Sequence, residues 1–99
     1  MPVGIYLKSK GVMVIGTGQV TNDTGNVVEP AYGLLKSGDY IQTVDGEDLE
    51  DKNDLVDAVS ASDGKTLALG IRRDGRRIEV DMTPVLAEDG SYKLGCLGS

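Results

Sequence analysis

Histidine is absent from this chain of 99 residues, and that absence removes more chemistry than any other feature. Without an imidazole there is no Ser-His-Asp or Cys-His relay, no HExxH metal helix and no zinc finger. A single cysteine, Cys96, excludes an internal disulfide and a cysteine-based metal cluster. Phenylalanine and tryptophan are missing as well, so the core has to be built from Val, Ile and Leu. No apolar run reaches the roughly 18 residues that a membrane-spanning helix needs, and no signal-peptide pattern is visible. If the protein is exported, its targeting segment is expected outside these residues. Positive charge is scarce: 10 Lys and Arg stand against 16 Asp and Glu, a net charge of −6. Phosphate backbones and anionic bilayers both call for clustered cations, so neither nucleic acid nor direct membrane insertion is expected.

What the chain does have is glycine, 14 residues of it, set among β-branched residues, a composition that suits short strands and tight turns. Val3–Ser9 places Val3, Ile5 and Leu7 at period two. Lys10–Val20 follows as a second strand with apolar residues on both faces (Val12 and Val14 against Met13 and Ile15), and is predicted to be buried on both sides. Thr21–Asn26 is a loop by composition, and Pro30 can open a short helical turn to Leu34 or Leu35. A turn at Lys36–Asp39, a strand at Tyr40–Val44 and a turn at Asp45-Gly46 come next. Leu49–Ser62 has helical spacing, with Asp51 or Asn53 as cap. Asp74-Gly75 then joins two alternating strands, one bearing Leu67, Leu69 and Ile71 and the other Ile78, Val80 and Met82. No repeated βαβ pattern occurs, so the expected class is α+β: a partly open small barrel or sandwich of five to six strands, with one long and one short helix. The expected domain is 1–84, followed by a polar junction tail, 85–99, with one apolar patch from Tyr92 to Leu97.

Chemistry finds little purchase here. Nine carboxylates crowd between Asp39 and Asp63 against a single lysine, but the EF-hand spacing is not met, and a solvated acidic face explains them. Gly16-Thr17-Gly18 lacks the rest of any nucleotide-binding signature. Ser9 beside Lys8 or Lys10 has no further support as a dyad. No catalytic residue, metal or cofactor is expected, and the chain is read as a non-enzyme.

Backbone recognition remains. A groove between a strand and a helix can accept an extended peptide as an added strand, and a glycine between apolar residues lets a loop of N–H groups approach a carboxylate. Val3-Gly4-Ile5 is such a triplet. The run GLLKSGDYIQTVDGEDL (33–49) resembles the central signature of bacterial PDZ domains, and TLALGIRRDGRRIEVDM (66–82) resembles their closing hairpin. The likeness covers residues 2–84. It implies a carboxylate loop at Val3, Gly4 and Ile5, a pairing strand at Ile5, Tyr6, Leu7 and Lys8, and a helix stripe of Lys52, Val56 and Val59. The partner it implies is a peptide or a protein C-terminus. Lys52 stands where eukaryotic PDZ domains commonly carry histidine, so their Ser/Thr preference is not carried over. Gln42 departs from the usual apolar residue after Ile41, and Asp39 is assigned a structural role in anchoring its turn.

A narrower likeness joins VGIYLKSKGVMVIGTGQV and MTPVLAEDGSYKLG, which resemble the sporulation stage IV protein B family of serine peptidases. It implies a PDZ module ahead of a protease domain, with the catalytic residues downstream, and a parent exported into the space between the forespore membranes. The module would then deliver targets, other copies of the peptidase among them, or would pack on its own protease domain without binding free peptide. Cys96–Ser99 departs from that family's continuation, and Met1 is read as an added residue.

Overall fold

Residues 11–98 are described by a computed structural model of the chain; the expected strand Val3–Ser9, and with it the triplet Val3-Gly4-Ile5, lies outside them. Period-two alternation produces one six-stranded antiparallel sheet. Its path runs β10 (Cys96–Gly98), β1 (Val12–Thr17), β4 (Tyr40–Val44), β6 (Leu67–Arg73), β7 (Arg76–Met82), with β5 (Glu47–Asp48) paired to β4. Among the described residues the sheet is open, with β10 and β7 at the two ends of this path. Among the described residues there are also two short hairpins: β2 (Val20–Thr21) with β3 (Val27–Val28), and β8 (Val85–Leu86) with β9 (Tyr92–Lys93).

The turns do what their sequences require. At Asp45-Gly46 and Asp74-Gly75 both residues take positive φ (50° and 86°, 52° and 76°). That is the two-residue turn whose twist matches paired strands, and Asp and Gly tolerate it best. The second turn holds β6 and β7 in a seven-pair ladder from Leu67↔Met82 to Arg73↔Arg76. One face of this sheet forms the core, in which Ile41, Leu69, Ile71, Met82, Val12 and Val14 are fully buried. The outer face is polar, and this corrects the expectation for β1. Val12 and Val14 face the core at 1% exposure each, whereas Ile15, which alternation turns to the other side, is 54% exposed.

The helix α1 runs Lys52–Ala61. Asp51 is extended and its carboxylate accepts the Asp54 N–H at 3.1 Å, so the helix starts after Asp51 and not at Leu49. It stops where Asp63 and Gly64 turn left-handed, at φ 55° and 80°. Leu55 and Val59 are its buried residues. The expected short helix is instead a series of turns over 30–34. The Leu35 N–H does reach the Ala31 carbonyl, at 3.1 Å, but Gly33 at φ 78° breaks the helical path. Ala31 and Leu35 are still buried.

The larger departure is at the C-terminal side. Residues 85–98, expected as a junction tail, form β8, β9 and β10 and contribute Leu94 to the core cluster. Backbone bonds tie them in: the Gly18 N–H donates to the Gly95 carbonyl (2.9 Å), Glu88 N–H to Thr21 O (3.0 Å) and Asp23 N–H to Leu86 O (3.0 Å). The physical cause is alternation once more. Tyr92 and Cys96 are half-buried and Leu94 is buried, while Lys93 between them is exposed.

Candidate functional site

Beside the core, α1 and the segment 91–96 do not close on each other. Between them lies a cleft of about 500 Å³. One wall is helical, formed by Lys52, Val56, Val59 and Ser60, and the other runs from Ser91 to Cys96. The buried Val12 and Leu55 line it as well, as do Gly18 to Val20. Lys52, Val56 and Val59 are at i, i+4 and i+7, and helical geometry puts such residues on one face. Their depths differ. Val59 is 5% exposed and belongs equally to the core, Val56 is 51% exposed, and Lys52 is open to solvent. An exposed valine on the rim of an apolar cleft offers a surface that a ligand side chain would desolvate. Leu55 and Ala58, expected to face the core, are buried and half-buried.

Of the nine residues read from the sequence as a binding site, the structure describes these three and brings them together. Val3, Gly4, Ile5, Tyr6, Leu7 and Lys8 lie outside the described residues. The opposite wall, Ser91 to Cys96, is absent from the sequence-based site, which places Tyr92 to Leu97 only as an apolar patch in the tail. The period-two run Tyr92, Leu94, Cys96 was the signal that could have found it.

The wall is held by ordinary local chemistry. Tyr92 lies over the helix end, where a Cβ on Gly64 would come within 3.1 Å of its ring. A Cβ on Gly95 would come within 2.9 Å of Pro30, so glycine is what lets the wall approach the 30–34 turns. Burial pushes the Cys96 thiol above its ordinary range. Strand β10 lies along β1, with Gly98 opposite Val14 and Cys96 opposite Thr17.

The carboxylates that crowd the sequence have separate structural duties. Asp39 is 1% exposed and accepts from Arg73 Nε (2.9 Å), Arg73 Nη2 (2.7 Å) and the Lys36 N–H (2.9 Å). The Arg73 guanidinium holds its carboxyl below the usual carboxylate range. Asp45 accepts from the Ala68 N–H (2.9 Å) and Asp54 from the Glu50 N–H (2.8 Å). Among the described residues no group of His, Cys, Asp and Glu is arranged to hold a metal. No helix among them is long and apolar enough to cross a membrane.

This arrangement of one helix against an open antiparallel sheet has close counterparts among solved structures. The PDZ domain of an SdrC-like protein from Listeria monocytogenes superposes with a TM-score of 0.76 at 18% identity, over 95% of this chain and 93% of that one. The PDZ domain of an SdrC-like protein from Listeria innocua gives 0.72 at 22% identity, over 89% and 92%. The chain has a PDZ-like α+β fold. No protein-family model matches it. In sequence it is 39% identical over 87 residues to a Lactococcus lactis protein assigned by name to the zinc metalloproteases, and 35% identical over 83 residues to the regulator of sigma-W protease RasP of Bacillus subtilis. These alignments cover 85% and 83% of this chain but only 20% and 19% of the relatives, so the chain spans about a fifth of their length.

Proposed function

We propose that this chain is a non-catalytic peptide-binding module that serves a protease, capturing an extended polypeptide segment or a protein C-terminus in the cleft beside α1. The cleft itself carries the proposal: it is apolar at the base, open at the rim and flanked by a helix stripe, in a fold shared with PDZ domains. Such a site binds through backbone pairing along a strand, with pockets reading alternate side chains. The pairing strand and carboxylate loop are assigned to Val3–Lys8. One short segment buries little area, so an affinity on the order of micromolar, about −8 kcal/mol, is expected.

The parent protein is read as a protease. The Lactococcus lactis relative and a Bacillus licheniformis one bear zinc metalloprotease names, which supports that class over the sporulation serine peptidase suggested by the sequence likeness; a forespore location rests on that likeness alone. Delivery of targets, or of other copies of the parent, to a catalytic domain belongs to the same proposal. A second reading, a domain that packs on its own protease and takes no free peptide, draws support from β10, which already lies against β1 next to the cleft.

Calorimetric titration with one apolar-ended peptide, as free carboxylate and as amide, separates these readings. Saturable binding of the carboxylate alone supports C-terminal capture. Equal binding of both supports internal-segment pairing, and heatless titrations up to millimolar peptide favour the packing role. For the parent, loss of proteolysis on metal chelation and not with serine-directed reagents would assign the metalloprotease class.

A further inference from the structure

The charges around α1 are sorted by face. Toward the cleft the helix presents Lys52 with Val56, Val59 and Ser60, and the facing wall adds Lys93. Among the described residues these two lysines are the only charged groups lining the cleft. On the other side of the same helix, Asp54 and Asp57 join Glu47 and Asp48 around a second depression of about 380 Å³ that no cation among the described residues lines. In a chain carrying −6, a purely cationic, apolar cleft stands apart from an anionic surround. Lys93 is only loosely engaged: its ammonium is 3.6 Å from Asp89, and both side chains are about half exposed, a pairing that water and salt readily replace. Lys52 has no ion-pair partner among the described residues.

We infer that the occupant of this cleft is an acidic, apolar extended peptide, with one apolar side chain against Val56 and Val59 and a side-chain carboxylate between Lys52 and Lys93. This rests on the peptide-binding reading and adds its selectivity. Complementary charge fixes register and rejects wrong partners. The acidic surround strengthens the discrimination, since a peptide carrying lysine is drawn toward the Asp54–Asp57 face and away from the cleft.

The test uses the 99-residue chain and three fluorescein-labelled nonapeptides on one apolar background, differing only in Glu, Gln or Lys at the position beside the central leucine, followed by polarisation at low and high salt. The glutamate peptide is expected to bind about fivefold tighter than the glutamine one, with the lysine peptide weakest, and the spread should shrink at high salt. Lys52→Glu is expected to reverse the order. That variant should fold, because a carboxylate suits the first turn of a helix. Binding without charge order, or an order unchanged by Lys52→Glu and by Lys93→Glu, overturns this inference and leaves the groove reading standing. No saturable binding by any of the three overturns the groove reading itself. A complex of two chains formed on concentration alone would mean that a second copy fills the cleft, and would overturn both.

Discussion

Replacing Asp39 with asparagine tests whether the central turn is fixed by a buried charge. The carboxylate is 1% exposed and takes three hydrogen bonds, two from Arg73 and one from the Lys36 N–H. Asparagine keeps the shape and one acceptor oxygen but turns an N–H₂ toward a guanidinium, so charge-assisted bonds worth about 1.5–3 kcal/mol each are lost. Breaking a fully buried pair costs about 3–5 kcal/mol. Arg73, however, is 24% exposed and keeps its bond to the Leu34 carbonyl at 3.0 Å, so water offsets part of the loss. The expected destabilisation is therefore about 2–3 kcal/mol, a fall in Tm of roughly 10–20 °C for a domain of this size. The pH dependence follows from the lowered Asp39 pKa. The stabilisation is present in full above the unfolded carboxyl value of about 3.9 and is lost as pH falls through the lower folded value. Melting curves by circular dichroism should show the gap between parent and Asp39→Asn narrowing below that pH. A penalty under about 0.5 kcal/mol at pH 7, or one that does not shrink in acid, would refute the reasoning.

Other perturbations address different links. Gly11 sits at φ 94°, and a Cβ there would collide with the Ile41 carbonyl, so Gly11→Ala should cost more than about 2 kcal/mol in urea unfolding. Asp51→Ala removes the helix cap and should cost about 1 kcal/mol, seen as a lower urea midpoint at unchanged slope. Burial raises the Cys96 thiol, so iodoacetamide should alkylate it at pH 8 at least about tenfold slower in the folded chain than in urea. Its contribution to stability should be present below the unfolded thiol value and lost as pH rises toward the folded one.

How much was readable in the sequence depended on how local the signal was. The two Asp-Gly turns, the strand at Tyr40–Val44 and the helix with its Asp51 cap follow from residues within a few positions of one another. The role of Asp39 was half legible. Its bond to the Lys36 N–H is local, but Arg73 is 34 residues away and only the folded sheet brings it there. The region after Pro84 reads as a tail in the sequence because its strands are two or three residues long. The alternation of Tyr92, Leu94 and Cys96 crosses from one short strand to the next, and the region is held by distant partners: Ala87 bridges Asn22, the Gly18 N–H donates to the Gly95 carbonyl, and β10 pairs with β1. That region supplies one wall of the cleft. The other, the stripe of Lys52, Val56 and Val59, is local in the sequence and was named from it.

The most direct test is an amide-shift titration of the 99-residue chain with an extended apolar peptide ending in a free carboxylate. A peptide seated in the cleft should move Lys52, Val56 and Val59 together with Tyr92 to Cys96, saturate at micromolar concentrations, and leave the Asp74-Gly75 turn unmoved. Shifts confined to that turn or to the Asp54–Asp57 face, or none up to millimolar peptide, would contradict the cleft as a peptide-binding site.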